Sequence, residues 1–241
     1  MAISQGRIQK NLGRIRDNIA AACGRVGRDP REISIVAVTK TTDLDGMKRL
    51  LDVGLTDLAE SRVQQLTERA GEMAAYLQRR QSPLPTPVRW HMVGHLQRNK
   101  VRAVLSAADC IHSVDSLRLA EEIDTRAESI GRLIDVFLQL NCSEEKQKFG
   151  CAVGAAAHLG EIMCTLKNIR LIGLMTMAPL SDDPKEVRHA FSRLKEMFEE
   201  MRNDKIGGDN FRHLSMGMSQ DYPIAVEEGA TVLRIGSALF E

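Results

Sequence analysis

The chain has 241 residues, with 33 Lys and Arg against 32 Asp and Glu, and its formal net charge of +1 is spread without a basic block. That balance leaves no electrostatic footprint for nucleic acid or a membrane surface. The length suits one large core, read as one domain over 1–241. The five cysteines, Cys23, Cys110, Cys142, Cys151 and Cys164, are an odd count without metal-ligand spacing, which fits reduced thiols in a cytoplasmic protein. The N-terminus lacks a signal-peptide core, and no segment approaches the roughly 20 apolar residues of a membrane span.

Ile8, Leu12, Ile15 and Ile19 recur at helical spacing and predict a long amphipathic helix ending near Gly24 to Gly27. The β-branched run ISIVAVTK, 33–40, reads as a strand. A helix over 44–53, a short strand in LTDLAE and a helix over 61–80 follow, and the Pro-rich QSPLPTPV is a connecting loop. The alternation continues with strand VRWHMVG, helix LQRNKVRAVLSAA, strand DCIHSV, helix DSLRLAEEIDTRAES, strand LIDVFLQLN, helix AVGAAAHLGEIMCTL and strand IRLIGLMTM. Asp183 as N-cap, Pro184 in the first turn and a stripe of Val187, Phe191, Leu194, Phe198 and Met201 mark the clearest helix. Strand FRHLSMG, helix SQDYPIAVEEGA and strand TVLRIGSALF complete the chain.

Strands alternating with helices imply parallel pairing, and about eight of them in a chain of this length fit an α/β fold of the (β/α)8 TIM-barrel type with an extra N-terminal helix. No G-x-G-x-x-G follows the first strand, which disfavours a dinucleotide-binding sheet. Barrel chemistry gathers where strands end. Lys40 is placed there on the first strand. His91 lies in the third, with Gly94 and His95 at its exit, Ser113 ends the fourth, Asn141 the fifth, and Met175 to Met177 the sixth. The last two strands end LSMGMS and RIGS, where barrels often hold phosphate, so Ser219 is expected to cap the helix that follows and Gly236 with Ser237 to form the opposite lip.

A lysine facing a phosphate site points to a Schiff base with a phosphorylated carbonyl compound. An ordinary lysine, with a pKa of about 10.4, is neutral in only roughly one molecule in 2,500 at pH 7. Partial burial at the strand end and the nearby charge of Arg234 are expected to raise that fraction.

In order along the chain, VAVTKT, WHMVGHLQRNK, IHSVDS, LNCSEEKQKFG, GLMTM, LSMGMSQD and VLRIGSALF resemble the successive motifs of the pyridoxal phosphate homeostasis proteins. The resemblance implies a barrel related to the N-terminal domain of alanine racemase, with pyridoxal 5′-phosphate (PLP) held as a Schiff base on Lys40. It further implies phosphate contacts from Ser219, Gly236 and Ser237, with Ser215 and Met218 nearby and Arg234 beside the pyridine nitrogen; His91 and Asn141 complete the candidate set. The chain departs from the family where a Gly-Glu-Asn segment is usual, carrying Ala59, Glu60 and Ser61, so a ring contact by that asparagine is in doubt. It also ends at Glu241 soon after the last strand, with the family's short tail expected to be reduced.

An arginine at the pyridine nitrogen favours the unprotonated, weaker electron sink. Alanine racemase, as a family, adds a tyrosine base from a second β-domain, which this sequence is not expected to carry, and its only tyrosines are Tyr76 and Tyr222. The implied function is cofactor buffering or delivery, with apo-PLP enzymes as recipients and a monomer or weak dimer as the assembly. The alternatives are a PLP-dependent amino-acid racemase or a Schiff-base lyase with weak activity. Plainer roles stand beside these: a hydrogen-bonded barrel histidine for His91, a loop or helix-start residue for His95, a loop tie for Asn141, a solvated charged segment for Glu145, Lys146 and Lys148, adaptable packing for the methionines, and small core hydrophobes for the cysteines.

Overall fold

A computed structural model of the chain describes residues 3–145, Gln147 and 149–241; Lys146 and Lys148, part of the expected solvated segment, lie outside the described residues. Eight parallel strands close on themselves in sequence order: β1 (Ser34–Val38), β2 (Asp57–Glu60), β3 (Arg89–Met92), β4 (Cys110–Val114), β5 (Ile134–Gln139), β6 (Ile169–Met175), β7 (His213–Ser215) and β8 (Val232–Ile235). β1 joins β8 in the register Ser34↔Val232 to Ala37↔Ile235, which seals the barrel. The expected (β/α)8 architecture is therefore the one observed.

α1 (Gln5–Val26) precedes the barrel, and the connecting helices are α2 (Leu44–Asp52), α3 (Val63–Arg79), α4 (Val101–Leu105), α5 (Leu117–Ser129), α6 (Ala156–Met163), α7 (Pro184–Asn203), α8 (Tyr222–Glu227) and α9 (Ser237–Phe240). α1 begins at Ser4, whose side chain accepts from Arg7 N, and ends on Gly27 at φ 67°, a left-handed position that glycine takes without steric cost. In α7 the Asp183 carboxylate accepts from Lys185 N at 2.9 Å, and the stripe from Val187 to Met201 is buried, as its spacing predicts.

Several elements are shorter than their sequence patterns. The helices expected over 96–108 and 152–166 shrink to α4 and α6, each led by a single 3-10 turn. The last strand stops at Ile235, and Ser237 to Phe240 coil into α9 instead of continuing it. Because α9 is only four residues long, the helical ring would gape after β8. α1 fills that gap, packing against α8, α9 and α2 and burying Ile8, Leu12, Ile15 and Ile19 on its own barrel. Asn11 Nδ2 donates to Leu239 O at 3.0 Å and Asn18 Nδ2 to Tyr222 Oη at 2.7 Å, which fixes its rotation. No helix among the described residues is long and apolar enough to cross a membrane.

Cys23, Cys110 and Cys142 are buried as expected, whereas Cys151 is only partly buried and Cys164 is exposed.

Candidate functional site

At the C-terminal ends of the strands lies a cavity of about 390 Å³, within the usual size range of small-molecule sites. Lys40, Met218, Ser219, Arg234, Gly236 and Ser237 all line it. A larger groove of about 790 Å³, lined by α3, the Pro-rich loop and Trp90 on the outside of the barrel, is a weaker candidate. Its two arginines are already paired, Arg80 with Asp52 and Arg132 with Asp109, so no free charged group converges there.

β1 ends at Val38, so Lys40 sits in the turn beyond the strand and is exposed, not partly buried as expected. Its loop is nonetheless clamped. The Arg69 guanidinium on α3 donates to Thr39 O, to Thr42 O and to the Glu60 carboxylate at the end of β2, and Thr39 Oγ1 donates to the same carboxylate. Glu60 is fully buried, so the charge it shares with Arg69 is screened little by water and the clamp is stiff.

Arg234 projects from β8 into the barrel, 4% exposed. Its guanidinium donates to Ser215 Oγ at 2.8 Å and to Thr176 O at 2.9 Å. Burial lowers its pKa to about 10, partly offset by the carboxylate of Asp221, which leaves it charged at neutral pH.

The lip formed by Ser219 differs from expectation. Helix α8 begins only at Tyr222, after Asp221 and with a proline in its first turn, so Ser219 does not cap it. Its hydroxyl instead accepts from Gly236 N at 3.2 Å and Ala238 N at 3.1 Å, tying the loop after β7 to the start of α9. Gly217, at φ +94°, makes the bend that brings Ser219 across.

The far wall holds residues that the sequence reading treated lightly or passed over: Val38, Thr41, Ser61, Val93, Gly94, His95, Gln139, Phe149, Met177 and Gln220. A Cβ on Gly94 would stand 2.1 Å from Ser61 O, so only glycine lets the loops after β2 and β3 meet. His95 stacks on Phe149 with centroids 3.7 Å apart and an angle of 11°, and Gln139 Nε2 donates to Phe149 O at 3.1 Å.

Three expected residues do not line the cavity. Ser215 is buried beneath Arg234 and holds it. His91 lies deeper, bonded to Asp57 and His112 inside the barrel. Asn141 donates to Glu145 O at 2.9 Å and accepts from Ser143 Oγ, the loop tie of its plainer role. Ser113 is buried, and its hydroxyl has no hydrogen-bond partner.

An amine, a buried guanidinium, the hydroxyls of Thr41, Ser61, Ser219 and Ser237 and an apolar wall of Val38, Val93, Phe149, Met177 and Met218 are a donor set for a small, flat, anionic carbonyl compound. No carboxylate, thiol or phenol lines the cavity among the described residues.

Residues 10–241 match the family described as alanine racemase, N-terminal domain. The pyridoxal phosphate homeostasis protein of Aquifex aeolicus (strain VF5) is 33% identical over 231 residues, which is 96% of this chain and 96% of that protein. Among solved structures, an unknown protein from Bifidobacterium adolescentis superposes with a TM-score of 0.90 at 34% identity, covering 98% of this chain and 95% of the other. PipY of Synechococcus elongatus PCC7942, solved with PLP bound, superposes with a TM-score of 0.81 at 28% identity, covering 97% of this chain and 100% of PipY.

Proposed function

The chain belongs to the pyridoxal phosphate homeostasis proteins, within the alanine racemase N-terminal domain family, and on that premise we propose that it binds PLP in the mouth cavity and serves to hold and hand on that cofactor. The observation that carries the proposal is the convergence of Lys40, Arg234, Ser219 and Ser237 on one cavity of fitting size. Lys40 supplies the amine that condenses with the aldehyde as a Schiff base, releasing water. Ser219 and Ser237 offer hydroxyl donors to the phosphate, and Arg234 presents cationic N–H groups to the ring nitrogen. Bound PLP would supply an electrophilic carbon at the position of Lys40.

Several features favour a carrier over an amino-acid racemase or lyase. A guanidinium beside the ring nitrogen weakens the electron sink. Proton removal would further need a second acid or base. Tyr222 is buried against Asn18 and Tyr76 is bonded to Arg80, and neither lines the cavity. The exposure of Lys40 lets an incoming amine reach it, so PLP can leave for an apo-enzyme in the cytoplasm. Borohydride reduction of PLP-loaded protein, followed by peptide mass analysis, is expected to find the pyridoxyl group on Lys40. An adduct mainly on Lys100 would overturn the site. In parallel, D-alanine formed from L-alanine at ordinary enzymatic rates, on the order of 1–10³ per second, would overturn the carrier role.

A further inference from the structure

Behind Arg234 the barrel interior holds an unbroken file of hydrogen bonds. Arg234 Nη1 donates to Ser215 Oγ at 2.8 Å, and the same oxygen lies 2.8 Å from His112 Nδ1. His112 Nε2 is 2.9 Å from His91 Nδ1, and His91 Nε2 is 2.9 Å from Asp57 Oδ1. The file begins at the cavity and ends on the first residue of β2, at the opposite end of the barrel, where the Asp57 side chain is 36% exposed. Five different strands contribute to it.

Counting protons leaves little freedom. An ionised Asp57 can only accept, so His91 Nε2 carries a proton; in a neutral His91, Nδ1 then accepts, and His112 Nε2 must donate. Burial, and after it the neighbouring His91 ring and the Arg234 guanidinium, holds the His112 pKa well below its usual value, so His112 is neutral and its Nδ1 accepts. The hydroxyl proton of Ser215 therefore points to His112, and its oxygen faces Arg234. Every donor in the file faces Asp57, and every group is satisfied once.

The other charged groups near the two rings do not compete. Asp135 on β5 is taken by Arg89 and by Arg170, the latter at 2.6 Å, and His213 on β7 is turned toward Thr231. Cys110 Sγ lies within 4.8 Å of the facing ring nitrogens, so the three side chains resemble a cation site. The two nitrogens, however, are spent on each other, and burial pushes the thiol pKa far up.

We propose that Asp57, His91 and His112 are positioning residues for the ligand cavity, forming a one-way relay in which the Asp57 carboxylate orients the Ser215 hydroxyl and, through it, the guanidinium of Arg234. The effect on bound PLP rests on the function proposed above. The tautomers of the two histidines do not.

Two readouts separate these layers. In ¹⁵N-histidine-labelled protein without PLP, long-range proton–nitrogen spectra are expected to show His91 and His112 both protonated at Nε2. Asp57→Ala removes the acceptor, so His112 should shift toward the Nδ1-protonated form, while Asp57→Asn, which keeps an acceptor oxygen, should retain the wild-type tautomers. In PLP titrations, Asp57→Ala should move the long-wavelength absorption band and its pH profile and weaken binding several-fold, with Asp57→Asn close to wild type. A wild-type His112 protonated at Nδ1, or an Asp57→Ala protein unchanged in tautomer, band and affinity, would overturn the relay. Failure of the wild type to take up PLP would instead overturn the proposed function, with the tautomers still deciding whether the file is directional.

Discussion

The same eight strands build two unlike regions: the layer between barrel and helices, and the barrel interior. Outward-facing positions such as Trp90, Met92, Ile111, Leu214, Leu233 and Ile235 join one continuous apolar core with the helices. Their strand neighbours turn inward, and there a small apolar cluster of Val36, Val38, Ala59, Cys110, Phe137, Ile172, Met175 and Val232 shares space with buried His91, His112, Ser215 and Arg234. Alternation along a strand thus separates stability from chemistry. The outer layer is mostly hydrocarbon, and the buried Asn11 within it is tolerated because its amide donates to Leu239 O. The interior tolerates His91, His112, Ser215 and Arg234 because each of these four finds a partner on another strand.

The comparison is broken if a change in one region is felt equally in the other. The largest expected effect is in the outer layer. Phe191→Ala, at a fully buried position on α7, should cost about 3–5 kcal/mol in denaturant unfolding through lost burial and a cavity, while the PLP affinity of the folded fraction stays near wild type. Next comes the boundary between the regions. Arg69→Met leaves the buried Glu60 carboxylate without its cation and frees the Lys40 loop, for a loss of about 3 kcal/mol together with slower Schiff-base formation after mixing with PLP. A stability loss with unchanged kinetics would show that the clamp does not position Lys40.

Ser219→Ala with Ser237→Ala should act mainly on binding, with a smaller loss of stability from the freed Gly236 and Ala238 N–H groups. Hydrogen bonds to a charged group contribute about 1.5–3 kcal/mol, so PLP affinity should fall roughly ten- to a hundredfold while pyridoxal affinity holds; equal losses in a titration of both would refute the phosphate lip. The smallest effect belongs to the surface. Glu227 sits between Arg188 on α7 and Arg25 on α1, and first Arg188, then Arg25, holds its pKa below the usual carboxylate value against the cost of burial. A lowered folded pKa means that the contribution is present above the unfolded carboxylate range and lost as pH falls through the folded value. Glu227→Gln should therefore cost at most about 1 kcal/mol near neutrality, and the difference from wild type should vanish in acid.

Much of this was legible in the residues. The alternation of β-branched runs with amphipathic stretches was enough for the barrel, because strand and helix periods are local properties set by which faces meet the core. Asp183, Pro184 and the α7 stripe fixed that helix for the same reason. The motifs around Lys40, Met218, Ser219, Arg234, Gly236 and Ser237 converge on one cavity because barrel strands all deliver their ends to one rim. What the residues could not reveal are partnerships across closed space. Ser219 could be read as a cap for the helix beside it, but its partners are Gly236 and Ala238, which come near only once β8 has paired with β1 and α9 has coiled. His91 could be read toward the mouth or into the barrel, and the choice fell to Asp57 and His112 on the neighbouring strands. Periodicity says which way a side chain faces; the charge or hydroxyl that awaits it there is supplied by strands far away in sequence, and only closure of the barrel decides it.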